Sequence, residues 1–169
     1  MANEHNAINL SQGFPNFESD PELIALVERA MLDGHNQYAP MQGDIFLRER
    51  IVEKTNKLHG SNYTAEDNVT VTAGATQAIF TAISATIHRD DEVIIFTPAY
   101  DCYAPSVELF GGVVKAIQLQ APLFKPDFNL LKDTISEKTK MVIINSPHNP
   151  TGTIWSEDDM LKLQEILKH

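Results

Sequence analysis

The residues best suited to chemistry form one run, Asn145-Ser146-Pro147-His148-Asn149-Pro150-Thr151-Gly152, directly after the apolar stretch Met141-Val142-Ile143-Ile144. Two carboxamides lie four residues apart, held by prolines that fix φ and remove backbone donors, and released by a glycine. At the carboxyl end of a parallel strand such groups stand where open α/β sheets bind ligands. The plainer alternative is a pair of loop asparagines bonding their own backbone. A second feature is Gly74-Ala75-Thr76, between a strand-like run and a helical one. Its first helix amides favour an anion by about 0.3–1 kcal/mol, and Thr76 adds a hydroxyl. It lacks a P-loop lysine and the repeated glycines of a dinucleotide fingerprint. The alternative is a tight turn with Thr76 as the helix cap. Tyr100, in Pro98-Ala99-Tyr100-Asp101, follows another strand, either as a plate for a planar ligand or as a lid on the core. Three strand ends carrying a cradle, a plate and two amides make a ligand site the better joint explanation.

The elements that must position these residues follow from periodicity. Residues 1–20 read as an extended arm turning at Gly13-Phe14-Pro15. Asp20 then Pro21 marks a helix start, and Leu23, Leu26, Val27 and Ala30 carry its spacing towards Gly34. A loop through Asn36-Gln37-Tyr38 leads to a second helix over about residues 44–59, closed by Gly60. Beyond residue 65 the pattern alternates. Strands are expected at Val69–Thr72, Glu92–Thr97, Val113–Leu119 and Met141–Asn145, with helices over 75–87, 103–110 and 128–136. Ser156 and the acidic turn Glu157-Asp158-Asp159 open a last helix. This predicts an α/β fold, a three-layer α/β/α arrangement on a mostly parallel sheet, preceded by a helical amino-terminal segment. The expected division is 1–65 and 66–169.

Composition narrows the function. The 13 basic and 23 acidic residues give a formal charge of −10, which disfavours binding to a nucleic-acid backbone. Cys102 is the only cysteine, so an intramolecular disulfide is impossible and a thiolate zinc site is not expected. The six histidines show no metal-ligand spacing, and surface or loop roles are expected for them; Asp90 and Asp91 read as a solvated turn. No run approaches the roughly 20 apolar residues of a membrane span, and no signal pattern opens the chain. A cytoplasmic protein is the expectation.

Five stretches together resemble the class I/II aminotransferases, pyridoxal-phosphate enzymes of fold type I. They are Asn9-Leu10-Ser11-Gln12-Gly13-Phe14-Pro15, Asn36-Gln37-Tyr38, Thr72-Ala73-Gly74-Ala75-Thr76, Pro98-Ala99-Tyr100-Asp101-Cys102-Tyr103 and Asn145–Gly152. The nearest likeness is to the branch of methionine and kynurenine (glutamine) aminotransferases. The resemblance implies pyridoxal 5'-phosphate as cofactor. Its phosphate would sit at Gly74, Ala75 and Thr76, its ring against Tyr100 and its ring hydroxyl at Asn149. It further implies that Asn145 and the Gly13 backbone line the substrate site, and that Tyr38 reaches the phosphate of a neighbouring subunit in a homodimer.

The same resemblance implies that the ring-nitrogen aspartate, the Schiff-base lysine and the carboxylate-binding arginine lie beyond the point matching His169. None of the lysines present sits in the family's lysine motif, so no catalytic residue is assigned. The expectation is the amino-terminal part of an enzyme moving an amino group from a methionine, glutamine or aromatic donor to a 2-oxo acid, inactive as these residues alone. Phe14, Phe17, Tyr38 and Tyr103 are candidates to line an apolar pocket or to serve as core. A β-carbon–sulfur lyase of the same fold, a non-catalytic ligand-binding module and an ordinary nucleotide-binding domain are the alternatives.

Overall fold

The computed structural model describes residues 1–9, 13 and 15–168. Phe14 of the expected turn at Gly13-Phe14-Pro15, and residues 10–12 of the Asn9–Pro15 stretch, thus lie outside the described residues. The chain divides into two units, Met1–Val69 and Thr70–His169.

The first unit holds α1 (Pro21–Leu32), α2 (Ile45–His59) and α3 (Ala65–Asn68). Each begins at a side-chain cap. Asp20 accepts from the Glu22 amide, Asp44 from the Phe46 and Leu47 amides, and Thr64 from the Asp67 amide. The α3 turn was not expected from the sequence, because four residues carry too little periodicity; its signal is Thr64 followed by Glu66 and Asp67. Helix α2 ends on Gly60 in the left-handed conformation, φ 63° and ψ 25°. Arg48 is buried, with its Nε donating to the Gly43 carbonyl and an Nη to the Ala65 carbonyl at 2.7 Å. A buried charge needs such partners, and these tie the loop before α2 to α3.

In the second unit α4 (Ala75–Thr86) leads into β1 (Glu92–Thr97), followed by α5 (Tyr103–Leu109), β2 (Val113–Gln118), α6 (Phe128–Thr134), β3 (Thr139–Ile143) and α7 (Glu157–Leu167). The sheet is parallel throughout, in the order β2-β1-β3, with Ile95 opposite Ala116 on one side and Ile143 on the other. The central strand β1 is buried on both faces, which is why Val93–Phe96 is unbroken apolar sequence. Its alternation builds two cores. Ile94 and Phe96 pack with Ile117, Leu131, Trp155 and Leu163, whereas Val93 and Ile95 pack with Ile83, Ile87, Tyr103 and Val107. Each of these side chains contributes about 1.5–3 kcal/mol by leaving water. Helices α4 and α5 therefore cover one face and α6 and α7 the other, the expected α/β/α layering.

Two expectations are corrected. Val69–Thr72 is not a strand among the described residues. A strand exists only through its ladder, and neither β2 nor β3 pairs with this segment. Asp91 is not simply solvated: its carboxylate accepts from the His88 amide at 2.8 Å and shapes the turn into β1.

Candidate functional site

The connections leaving β1 and β3 set the location. The chain leaves β1 for α5 on one face of the sheet and leaves the adjacent β3 for α7 on the other. Neighbouring parallel strands whose exits diverge open a crevice at their carboxyl ends, the switch point where open α/β sheets bind ligands. Tyr100 follows β1 there, and Asn145 and Asn149 follow β3. Helix α4 joins β1 through only five residues and packs against it, so it runs back along the strand and brings its amino end towards the same edge.

That amino end is built around Gly74, which has φ 91° and ψ 165°, a conformation essentially reserved for glycine. The turn is closed by the Gly74 amide donating to the Thr72 carbonyl at 2.8 Å and by the Thr72 hydroxyl donating to the Gly74 carbonyl at 3.0 Å. No side chain caps α4. Thr76 is therefore not the cap that the plainer reading of this turn required. The other long helices are side-chain capped; here the amino-terminal amides and the positive end of the dipole are left for an anion. Apart from its chain neighbours, no atom lies within 4 Å of a Cβ built on Gly74.

Tyr100 is 39% exposed, while Tyr103 is buried in the core, their rings meeting edge to face at 6.0 Å. Tyr103 is thus the lid on the core and not a pocket wall, and burial pushes its phenol upward. Tyr100 remains partly exposed. In the third segment the Asn149 amide donates to the Asn145 side-chain oxygen at 2.7 Å. For that oxygen the local-backbone alternative is the one realised. The Asn145 side-chain NH2 and the whole Asn149 side chain have no hydrogen-bond partner among the described residues, and they remain available to a ligand.

His148, expected in a surface or loop role, is buried, with 5% exposure. Its Nδ1 lies 2.8 Å from the Thr151 hydroxyl, within the turn. Burial lowers its pKa, partly offset by the Phe96 backbone. The sequence signal of the bond to Thr151 was a hydroxyl three residues on.

Gly13 and Tyr38 belong to the first unit. Tyr38 is fully exposed, as is most of Phe17. Among the described residues no group of three or more His, Cys, Asp or Glu side chains could hold a metal, and no helix is long and apolar enough to cross a membrane. A groove of about 980 Å³, lined by Phe128, Lys132, Lys162 and Ile166 among others, lies between α6 and α7.

Comparison with known proteins supplies the context. The family model for "aminotransferase class I and II" matches residues 5–169. A methionine aminotransferase of Escherichia coli is 46% identical over 167 residues, which is 99% of this chain and 43% of the relative. A probable N-succinyldiaminopimelate aminotransferase of Mycobacterium tuberculosis is 35% identical over 98% of the chain and 42% of its own length. The crystal structures of an E. coli protein with methionine aminotransferase function and of the M. tuberculosis N-succinyldiaminopimelate aminotransferase superpose with TM-scores of 0.96 and 0.92. They cover 99% and 98% of this chain and 44% of each of theirs. The chain thus spans a little under half the length of these relatives. With the parallel sheet, the uncapped helix after Gly74 and the Asn145–Gly152 turn in one frame, it belongs to the class I and II aminotransferases.

Proposed function

We propose that this chain provides the cofactor-binding half of a pyridoxal 5'-phosphate-dependent aminotransferase that moves an amino group from an amino acid to a 2-oxo acid. The observation that carries the reading is the switch point: an uncapped helix end, a half-exposed tyrosine and a free carboxamide arranged around one sheet edge. The residues fit the group. The Ala75 and Thr76 amides beyond Gly74 would hold its phosphate, for which helix dipole and hydroxyl are the right chemistry. Tyr100 would lie on the ring and the Asn149 side chain would donate to the ring hydroxyl oxygen. The Asn145 NH2, its own oxygen already engaged, would face the substrate carboxylate.

When bound, pyridoxal 5'-phosphate supplies an electron sink for the charge left when an amino acid loses its α-proton. The residues of this chain bind and orient; none of them is assigned the proton transfer. Gly13 would line the substrate site, and Tyr38 would reach the neighbouring subunit's phosphate in a cytoplasmic homodimer. The amino-terminal arm and helices would then serve the substrate and the partner, and the α/β unit the cofactor. The likeness to a methionine aminotransferase supports sulfur, glutamine or aromatic donors. The test is an amino-transfer assay with methionine, glutamine and aromatic donors and a 2-oxo acid. A longer protein that carries this chain together with the rest of the relatives' length should turn over, and these 169 residues alone should not. Sustained turnover by the chain alone would overturn the assignment of its residues to binding.

A further inference from the structure

We infer that Ser146 is a positioning residue: its hydroxyl, bonded to the Trp155 amide, closes the base of the loop carrying Asn145 and Asn149 and fixes that bracket to the core. The aminotransferase reading uses the two asparagines and leaves the serine between them without a task. Its Oγ accepts from the Trp155 amide at 3.0 Å, across nine residues of sequence. The bond joins the point where the chain has left β3 to the point where it is about to enter α7.

The far end of that bond is held by packing. Trp155 is 5% exposed and belongs to one core cluster with Ile94 and Phe96 of the central strand. Its indole meets the Phe96 ring edge to face, with centroids 5.1 Å apart, and the Phe128 ring in the same manner at 6.1 Å. The indole Nε1 is buried with no hydrogen-bond partner among the described residues. Ring contacts and the main chain therefore hold this residue, and its main-chain amide is the group that Ser146 takes.

The near end carries the carboxamides. Asn145 directly precedes Ser146, and its side-chain oxygen accepts from the Asn149 amide at 2.7 Å. Inside the loop the His148 amide donates to the Thr153 carbonyl at 2.8 Å, and the Gly152 amide to the His148 carbonyl at 2.7 Å. These bonds give the loop its shape but tie it only to itself. The Thr153 hydroxyl also reaches the Leu123 carbonyl, at 3.5 Å, a length at which a hydrogen bond is weak. The Ser146 bond is the shorter tie, and it ends on a core residue. Loss of the hydroxyl would leave the amide of buried Trp155 without its acceptor.

The inference concerns this chain's own loop; only its consequence for ligand binding rests on the proposed function. The test is amide hydrogen exchange by NMR on the whole chain and on Ser146→Ala and Ser146→Thr. Alanine removes the acceptor and threonine keeps it. In the parent, the Trp155 amide should exchange about tenfold or more slower than the Ile154 amide, which has no acceptor among the described residues. In Ser146→Ala the Trp155 and Asn149 amides should exchange about tenfold or more faster, with the Val93–Phe96 amides unchanged. Ser146→Thr should restore the parent rates. An unprotected Trp155 amide in the parent, an unchanged Asn149 amide or equal acceleration of all amides in Ser146→Ala, or Ser146→Thr behaving like Ser146→Ala would overturn it. Pyridoxamine 5'-phosphate affinity should fall in Ser146→Ala and recover in Ser146→Thr, while inorganic phosphate affinity, set at Gly74–Thr76, should not change. A loosened Asn149 with unchanged pyridoxamine phosphate affinity would support the role of Ser146 and overturn the placing of Asn149 at the ring.

Discussion

Gly74 offers the sharpest test of how the sequence makes the site. At φ 91° and ψ 165° a residue with a Cβ incurs about 1–3 kcal/mol of backbone strain. Replacement by alanine also stiffens the unfolded chain, returning about 0.4–1 kcal/mol. Apart from its chain neighbours, no atom lies within 4 Å of the added Cβ, so packing contributes nothing. The net cost of Gly74→Ala is about 1–2 kcal/mol. Asparagine distinguishes this conformation from the ordinary left-handed one, where its side chain is tolerated. Gly74→Asn should therefore be no better than Gly74→Ala, whereas at Gly60, φ 63° and ψ 25°, Asn should be clearly better than Ala. Urea denaturation followed through Trp155, the single tryptophan and part of the α/β core, reads the result. With a slope of about 2 kcal/mol per molar, the midpoint should fall by roughly 0.5–1 M. A Gly74→Ala shift under about 0.2 M, or recovery of most of the loss by Asn, would refute the reasoning.

Two further predictions concern packing and charge. A Cβ on Gly112 would stand 2.7 Å from Ile87 Cγ2 and 2.8 Å from Val107 Cγ1. Gly112→Ala should cost about 1–3 kcal/mol by overpacking, and a calorimetric Tm equal to the parent's would contradict it. Glu92, bonded to the Ser136 hydroxyl at 2.6 Å and paired with Lys115 at 3.1 Å, is held below its ordinary 4.5, the serine being the main cause. A depressed carboxylate stabilises above its unfolded pKa, and that contribution is lost as pH falls through the folded one. The stability gap between the parent and Ser136→Ala should therefore be full above pH 4.5 and shrink below it; a gap that widens on acidification would reverse the sign.

What the sequence disclosed depended on whether a residue's partners were near in the chain. Asp20 and Ser156 announced helix starts because each cap bonds an amide two or three residues on. The unbroken Val93–Phe96 run announced a central strand, since only a strand buried on both faces dispenses with polar alternation. Val69–Thr72 misled because its β-branched residues express propensity, whereas a strand also needs a partner. His148 lies in a loop, as expected, but its burial was not legible because tertiary packing and not local pattern sets it. Arg48 was overlooked because its partners are backbone carbonyls, which no side-chain pattern reveals. At the site itself, residue types were readable, but the free state of the α4 amides and of the Asn149 side chain emerged only from the bonds around them.

The central claim is that the α4 amino end and Asn149 hold the two ends of one cofactor. Titration of the chain with pyridoxamine 5'-phosphate, whose amine cannot condense with lysine, tests it directly. A hydrogen bond of this kind contributes about 1.5–3 kcal/mol, or roughly 10- to 100-fold in affinity. The account predicts saturable binding that inorganic phosphate competes away and that Asn149→Ala weakens at least tenfold. Absence of saturable binding, or equal affinity in Asn149→Ala, would contradict it.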